Sequence, residues 1–205
     1  MSRIDEVVAM DRRRFLRSVL AGGAIVAVGG SLALPHLLAA GAGWPPELIH
    51  TTPGMVPLEI FADDGRNLGR QRLSRLVLSN AEWHRRLSPA AFDIMRRGGT
   101  ERAFSGPHER PSARGIYRCA GCATALFDDD AQFDSGTGWP SFWQPISRLN
   151  VVEREDDSLG MERTEIRCTR CESHLGHVFD DGPRPTGLRY CMNSRALHFV
   201  ARTAA

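Results

Sequence analysis

The chain has 205 residues, of which 42% are hydrophobic and 24% are charged. This composition is that of a soluble globular protein and excludes a disordered chain or a protein with many membrane spans. The length fits one domain with accessory segments. Residues 1–17, with five arginines against three acidic residues, account for the whole net charge of +2. The rest of the chain is neutral, which argues against nucleic acid as a partner.

The first segment, residues 1–42, has the pattern of an export signal. The arginine-rich stretch "DRRRFLR" precedes an uncharged, glycine-rich run over residues 18–34, and a small-residue "AGA" follows. Arg12 and Arg13, followed by Phe and Leu, resemble the twin-arginine type of signal, so we expect an exported, periplasmic protein. The alternative is a retained membrane anchor, although the run is short and glycine-rich for a span of about 20 residues.

The next segment, residues 43–78, is predicted to be a linker that contributes one packing strand over residues 56–61. Two short helices follow it. Ser79 can cap the first helix, because Glu82 stands three residues later and completes a capping box. Ser88, followed by proline, opens the second helix, and a glycine after "MRR" closes it.

From residue 115 onward the pattern changes to short β-branched and aromatic runs. "GIYRC", "NVVER", "MERTEIRC" and "ALHFV" are separated by Gly, Pro and Asp turns. We therefore expect residues 79–205 to form one domain that is mainly β, with the two short helices at its N-terminal end.

Four of the five cysteines fall into two C-x-x-C pairs in matching frames, "YRCAGCATAL" and "IRCTRCESHL". Two such turns, brought together, supply the tetrahedral set of four sulfurs that Zn²⁺ prefers. The separation of the pairs exceeds the usual ribbon spacing of about 15 to 20 residues, so the site would join distant strands. The predicted metal ligands are Cys119, Cys122, Cys168 and Cys171.

Two other interpretations of the pairs are open at this point. Each pair could be a disulfide or a redox-active dithiol in an oxidising compartment. Alternatively, Cys168, Cys171, His174 and His177 could form one compact metal site. That site would leave the first pair without a role, and its histidines are closer in sequence than the usual spacing of about three to five residues.

The fifth cysteine, Cys191, is the candidate nucleophile. If "LRYCMNS" is a strand, Arg189, Cys191 and Asn193 share one face, because side chains alternate. A nearby guanidinium favours the thiolate, which is the nucleophilic form. The alternative for any lone cysteine is an inert buried thiol.

The stretch "HLGHVFDDGP" favours the reactive interpretation. His174 and His177 can donate protons near neutral pH, and Asp181 could fix the tautomer of a histidine ring. Together with a lone thiol, these residues form a plausible site for nucleophilic catalysis.

The stretch "SGTGWPSFW" places two tryptophans on a glycine-rich turn. By itself it fits a β-turn whose indoles cover a core. With "YRCAGCATALF" and "RCTRCESHLGHVFDDGPRPTGLRYCMNS", however, the longer stretch "FDSGTGWPSFWQPI" resembles the B-type methionine-R-sulfoxide reductases. The resemblance spans about residues 79–200 and is specific, since several long motifs occur in the order of the family.

The resemblance implies two antiparallel sheets with short N-terminal helices and a structural Zn²⁺. It also implies reduction of the R epimer of methionine sulfoxide, in proteins or free, with thioredoxin or a similar thiol donor as the reductant. Trp139 would form the wall of an apolar pocket for the substrate methyl group, and Cys191 would attack the sulfoxide and become a sulfenic acid. The other implied roles are protonation and hydrogen bonding by His177, His174 and Asn193, stabilisation of the thiolate by Arg189, and orientation of the histidines by Asp181.

One departure from the family pattern concerns Thr137, which stands where many members carry a second, resolving cysteine. No other thiol is free once a metal takes four, so we expect an external thiol to reduce the sulfenic acid. Two functions of other classes stay possible: a zinc-ribbon interaction module, which would not need Cys191, and a thiol-disulfide oxidoreductase, which would need a reactive C-x-x-C pair.

Overall fold

The computed structural model describes residues 49, 51–107, 113–157 and 162–202. The predicted export signal, residues 1–42, lies outside this part of the chain. Among the residues that are described, no helix is both long enough and apolar enough to cross a membrane.

The described residues form eleven strands in three antiparallel sheets and two short α-helices. This confirms the prediction of a mainly β protein with antiparallel sheets, and a third sheet, of two strands, lies in the linker in addition to the two that were expected. The strands are β1 (Met55–Phe61), β2 (Asn67–Ser74), β3 (Gly115–Cys119), β4 (Ala125–Asp128), β5 (Gln132–Phe133), β6 (Ser141–Phe142), β7 (Val151–Asp156), β8 (Arg163–Cys168), β9 (His174–Phe179), β10 (Arg189–Met192) and β11 (Leu197–Ala201). The helices are α1 (Asn80–Arg86) and α2 (Pro89–Arg97).

The linker contains a hairpin rather than the single strand that its sequence predicts. β1 pairs with β2 along its whole length, from Met55 opposite Ser74 to Phe61 opposite Asn67. β2 reads "NLGRQRLS", and its side chains are exposed except at Leu73, which is half-buried. Because backbone pairing rather than apolar burial stabilises this strand, its sequence carries no alternating pattern from which it could be predicted.

Both helices begin where the sequence predicts. Ser79 and Glu82 form the expected capping box: the backbone N–H of Glu82 donates to the Ser79 hydroxyl, and that of Ser79 donates to the Glu82 carboxylate at 2.8 Å. Ser88 caps α2 by accepting from a backbone N–H at 3.2 Å. Gly98 ends this helix with a left-handed φ of 69°, a conformation that glycine adopts without steric cost.

The core lies between a six-stranded sheet, in the order β5-β6-β10-β9-β8-β7, and a three-stranded sheet, in the order β11-β3-β4. Phe127 of β4 stacks on Phe142 of β6 with ring centroids 4.4 Å apart, and Tyr117 of β3 meets the edge of Phe142 at 5.0 Å. These aromatic contacts fix β6, and therefore its neighbour β10, against the smaller sheet. β10, which carries Cys191, lies between β6 and β9 and is therefore an interior strand of the larger sheet.

Candidate active site and metal centre

The two C-x-x-C pairs converge, as the sequence predicts. All four side chains are buried, and their sulfur atoms lie within 4.8 Å of one another. The Sγ atoms of Cys119 and Cys171 are 3.6 Å apart, and those of Cys122 and Cys168 are 3.4 Å apart. Four buried thiols at these distances can hold a metal ion. We call this group the four-cysteine cluster.

The two cysteine turns have the same backbone geometry. In the first turn the N–H of Ala123 donates to the carbonyl of Cys119 at 2.8 Å, and in the second the N–H of Glu172 donates to the carbonyl of Cys168 at 2.8 Å. Ala123 and Glu172 both adopt a left-handed φ, 60° and 54°, although neither is glycine. The repeated turn directs both thiols of each pair toward one point, which accounts for the matching sequence frames.

One of the two alternative interpretations of the pairs disagrees with this geometry. All five cysteines are free thiols, the form that a metal site and a redox-active dithiol share. The compact site that includes the histidines does not form, because Nδ1 of His174 lies 2.6 Å from Oε1 of Glu165, and Nε2 of His177 lies 2.7 Å from Oδ2 of Asp156. The sulfurs therefore face one another, while both histidines face carboxylates.

Cys191 lies half-buried on β10, directly opposite His177 of β9. His177 in turn pairs with Glu165 of β8. Directly opposed residues in antiparallel strands share a face, with Cβ atoms about 4.5 to 5.5 Å apart. The thiol, the imidazole and the carboxylate therefore form a row across three strands.

A β-bulge places the second histidine beside the first. Ile166 of β8 pairs with Gly176, but its neighbour Arg167 pairs with His174, so Leu175 is an extra residue in β9. In a regular strand, residues three apart point to opposite faces. The bulge changes this alternation, and the rings of His174 and His177 are 5.4 Å apart.

Arg189 lies on the same face of β10 as Cys191, as the alternation in "LRYCMNS" predicts. Burial raises the pKa of the Cys191 thiol above its ordinary value, whereas the charge of Arg189 and hydrogen bonds from Thr137 and Arg189 lower it. Burial is the larger effect, so the thiol keeps a raised pKa despite these contacts. The site therefore stabilises the thiolate only in part before substrate binds.

Asp181 does not contact the histidines, so the expectation that it orients their rings is corrected. Both of its carboxylate oxygens accept hydrogen bonds from Arg189 at 2.8 Å. This pairing, with the Arg189 guanidinium 4.5 Å above the Phe179 ring, fixes the guanidinium near the thiol. Asp181 therefore binds the Arg189 guanidinium. It follows Phe179, the last residue of β9, and Phe179 pairs with Arg189.

The carboxylates that do contact the histidines, Glu165 and Asp156, were not predicted. Each lies in a charged, alternating strand, and each also binds an arginine at 2.7 Å, Arg167 and Arg163 respectively. Alternation indicates which of their neighbours share a face, but the partner strand is set by tertiary structure. No local signal therefore links either carboxylate to a histidine.

Burial and hydrogen bonding give these groups different protonation properties. Burial lowers the pKa of His177, and the hydrogen bond and charge of Asp156 offset this only in part. Burial raises the pKa of Glu165, but its contacts with His174 and Arg167 outweigh burial, and the net pKa is below the ordinary value. Glu165 is therefore ionised at neutral pH, and His177 stays neutral to a lower pH than a free imidazole.

Asn193 is buried and its amide is engaged with the backbone. Its Oδ1 accepts from the N–H of Glu101 at 3.0 Å, and its Nδ2 donates to the carbonyl of Leu175 at 3.1 Å. These contacts tie the chain just after Cys191 to the bulge in β9. In this structure the side chain serves to position the strands.

Trp139 is half-buried at the rim of a cavity of about 480 Å³, which Phe104 and Phe133 also line. Its indole Nε1 donates to the carbonyl of Glu101 at 3.1 Å. The Phe104 ring covers Gly138, where an added Cβ would lie 2.6 Å from the ring. The glycine-rich turn therefore presents an aromatic wall to a cavity instead of only covering the core.

The fold and this site define a β domain in which a four-cysteine cluster is separate from a fifth, half-buried cysteine that lies opposite a histidine. Residues 87–201 match the family model described as the SelR domain. This match covers more than half of the chain, and the chain belongs to the SelR domain family.

Several relatives are named "Peptide methionine sulfoxide reductase MsrB". The protein of Pseudomonas aeruginosa strain UCBPP-PA14 is 58% identical over 120 residues, which are 58% of this chain and 91% of the relative. That of Bradyrhizobium diazoefficiens is 54% identical over 123 residues, 60% of this chain and 88% of the relative. That of Azotobacter vinelandii is 51% identical over 130 residues, 63% of this chain and 98% of the relative.

The contact between Asp156 and His177 leads to a prediction for the imidazole. Asp156→Asn removes a negative charge that raises the pKa of His177, so we expect this pKa to fall further. An NMR titration of the His177 ring measures it, with Asp157→Asn, an exposed neighbour, as the matched control. A His177 pKa that is unchanged in Asp156→Asn would show that the carboxylate does not act on the ring.

Proposed function

We propose that this protein reduces the R epimer of methionine sulfoxide, in proteins or as the free amino acid, to methionine. The observation that carries the proposal is the half-buried Cys191 thiol. It lies opposite His177, on the same strand face as Arg189, and opposite Ser141, two residues after Trp139. The names of the relatives, methionine sulfoxide reductases, support the substrate class. The protein is then an oxidoreductase of the peptide-methionine (R)-S-oxide reductase type.

In the proposed reaction the indole of Trp139 holds the methyl group of the substrate in the aromatic-lined cavity. The Cys191 thiolate attacks the sulfoxide sulfur, and the oxygen is transferred to the cysteine sulfur with uptake of one proton. Methionine leaves, and Cys191 becomes a sulfenic acid. His177 lies directly opposite the thiol and supplies the proton when its ring is protonated, a form that the Asp156 carboxylate stabilises.

An external thiol completes the proposed cycle. The other four cysteines lie in the four-cysteine cluster. The resemblance to the methionine-R-sulfoxide reductases implies that Thr137 stands where many members carry a resolving cysteine. One thiol of the reductant condenses with the sulfenic acid and releases water, and a second thiol reduces the resulting disulfide. A thioredoxin-like protein with two thiols fits this chemistry.

We also propose that the four-cysteine cluster holds a structural Zn²⁺. The chemistry of the donor set supports this, because four buried sulfurs within 4.8 Å can form the tetrahedral sulfur site that Zn²⁺ prefers. Cys119 ends β3 of the smaller sheet and Cys168 ends β8 of the larger one. The bound ion would join the two sheets and contribute to folding free energy.

The assay that tests the reductase proposal uses separate R and S epimers of a methionine sulfoxide peptide with dithiothreitol as the reductant. We expect turnover of the R epimer alone. Cys191→Ser should reduce turnover to background without unfolding the protein, and Trp139→Ala should mainly raise KM, because it removes substrate contacts. Equal turnover of both epimers, or clear activity of Cys191→Ser, would contradict the proposal.

The zinc proposal predicts one ion per chain, measured by elemental analysis of the purified protein. Cys168→Ser should lose the ion and lower the free energy of unfolding by several kcal/mol, because a structural metal contributes directly to stability. Cys191→Ser is the control and should keep the ion. Purified protein that is active but contains no zinc would contradict this proposal.

We further propose export by the twin-arginine route, from residues 1–42, with the mature protein in the periplasm. Replacing Arg12 and Arg13 by lysine keeps the charge but removes the signature, so export of a reporter fused to these residues should stop. Export that continues in this variant would indicate the general secretory route or a membrane anchor.

A further inference from the structure

Three hydroxyl groups lie in a row beside the Cys191 thiol. Ser141 of β6 lies directly opposite Cys191 of β10, and Thr137 is among the side chains that lower the pKa of the thiol. Oγ of Ser135 lies 2.8 Å from Oγ1 of Thr137 and 2.7 Å from Oγ of Ser141. The row ends at the carbonyl of Trp139, which accepts from Ser141 at 3.2 Å. We call Thr137, Ser135 and Ser141 the hydroxyl chain.

Each hydroxyl has one hydrogen to donate, so the hydroxyl chain has two consistent directions. When Cys191 is a thiolate, Ser141 donates to Ser135, Ser135 to Thr137, and Thr137 to the sulfur. When the sulfur carries a hydrogen, every bond reverses, and Ser141 donates to the Trp139 carbonyl. A hydrogen bond to a charged acceptor is about twice as strong as a neutral one, and S–H is a weak donor. The hydroxyl chain therefore favours the thiolate direction.

We propose that the hydroxyl chain is a positioning element that stabilises the attacking thiolate of Cys191. The resemblance implies that many members of the family carry a resolving cysteine at the position of Thr137. Here this position supplies a hydrogen-bond donor to the nucleophile instead of a second thiol. This inference deepens the proposed reductase function and rests on it.

Other groups also act on this thiol, and the experiment has to keep them constant. Arg189 lowers the pKa of Cys191, while burial and the charge of Asp181 raise it. His177 faces the thiol from β9. Substitutions in the hydroxyl chain change none of these charges, so any change in thiol reactivity reports on the hydroxyls.

The test measures the rate at which iodoacetamide alkylates Cys191 as a function of pH, followed by mass spectrometry of the peptide. In Thr137→Val we expect the rate at pH 8 to fall by roughly threefold to tenfold, with the profile moved to higher pH, because the donor to the thiolate is lost. Thr137→Ser should restore the wild-type profile. Ser135→Ala should show a smaller shift in the same direction.

The matched control is Thr164→Val on β8. Thr164 pairs with Val178, which pairs with Tyr190, so its side chain lies on the opposite face of the sheet from Cys191. It should leave the profile unchanged. A wild-type pH profile in Thr137→Val would overturn the proposal. A wild-type profile in Ser135→Ala would overturn it too, because Thr137 would then act on the thiol without the other hydroxyls. Alkylation needs no turnover, so failure of the reductase assay and failure of the hydroxyl chain are separate results.

A second inference concerns the segment that precedes the matched domain. Residues 51–76, which include the β1-β2 hairpin, lie ahead of residues 87–201, and we call them the N-terminal strap. The strap contacts the second cysteine turn repeatedly. These contacts are Thr51 Oγ1 to the Cys171 carbonyl at 2.8 Å, the Thr52 N–H to Glu172 at 2.9 Å, Arg75 to Glu172 at 3.1 Å, and the Leu76 N–H to the Arg170 carbonyl at 2.9 Å.

A buried arginine adds further hydrogen bonds between the start of the strap and the second cysteine turn. Arg96 of α2 is 5% exposed and donates to the carbonyl of Cys171 at 3.0 Å and to that of Ile49, just before the strap, at 2.6 Å. A guanidinium at this position partly balances the negative charge that four thiolates around a divalent ion would carry.

The strap also reaches the first cysteine turn. Arg118 of β3 donates to the carbonyl of Phe61 in the strap at 2.8 Å and to that of Ala123 in the turn at 3.2 Å. The strap therefore contacts the second turn directly and is joined to the first turn through the Arg118 side chain. Opening either turn, which release of an ion requires, would break contacts with the strap.

We infer that the N-terminal strap locks the two cysteine turns together and slows the loss of the metal ion, an inference that rests on the zinc proposal. The test follows transfer of zinc from the mature protein to 4-(2-pyridylazo)resorcinol. The double variant Thr51→Val, Arg75→Ala should release zinc roughly tenfold faster, because it loses two contacts, one of them charged. Arg72→Ala, on the exposed face of β2, is the matched control and should release zinc at the wild-type rate.

Hydrogen exchange of the Glu172 and Ala123 amides provides a second readout that needs no metal, since each amide closes a cysteine turn. We expect faster exchange at Glu172 in the double variant. Unchanged zinc release and unchanged exchange would overturn the role of the strap. Wild-type protein without zinc would instead refute the zinc proposal, and hydrogen exchange would still decide the role of the strap.

Discussion

The convergence of four thiols within 4.8 Å is the constraint on which the rest of the structure depends. Cys119 stands at the end of β3 in the smaller sheet, and Cys168 stands at the end of β8 in the larger one. Their meeting fixes where β8 lies relative to the smaller sheet. β8 pairs with β9, and β9 pairs with β10, so the same constraint extends to the strand that carries Cys191.

The reactive side of the molecule is a balance between burial and specific contacts. Burial raises the pKa of Cys191 and lowers that of His177, and both changes favour the neutral form. Arg189 and Thr137 oppose this effect at the thiol, and Asp156 opposes it at the imidazole. A buried site excludes water and strengthens electrostatic contacts, but it makes charged groups costly unless partners are provided. In this fold each functional group has its own partner, which offsets part of the free-energy cost of burying its charged form.

Local features were predictable from sequence where the physics is local. The capping box of Ser79 and Glu82, the left-handed glycine that ends α2 and the matching cysteine turns all depend on residues within a few positions of one another. The exposed strand β2 was missed because backbone pairing leaves no apolar pattern. Asp181 was given to the wrong partner because its position in the chain, next to the histidines, does not determine which side chain its carboxylate meets.

The sequence by itself determined the mainly β class, the positions of both helices, the four thiols that converge and the shared face of Arg189 and Cys191. These follow from side-chain periodicity, capping chemistry and ligand spacing, which act over short distances. Only the tertiary structure decided that Glu165 and Asp156 contact the histidines and that a bulge at Leu175 brings the two rings together. It also decided that the linker contacts the second cysteine turn and is joined to the first through Arg118. Strand order and register join residues that are far apart in the chain, and pairing energies of that kind leave no signature in the local sequence.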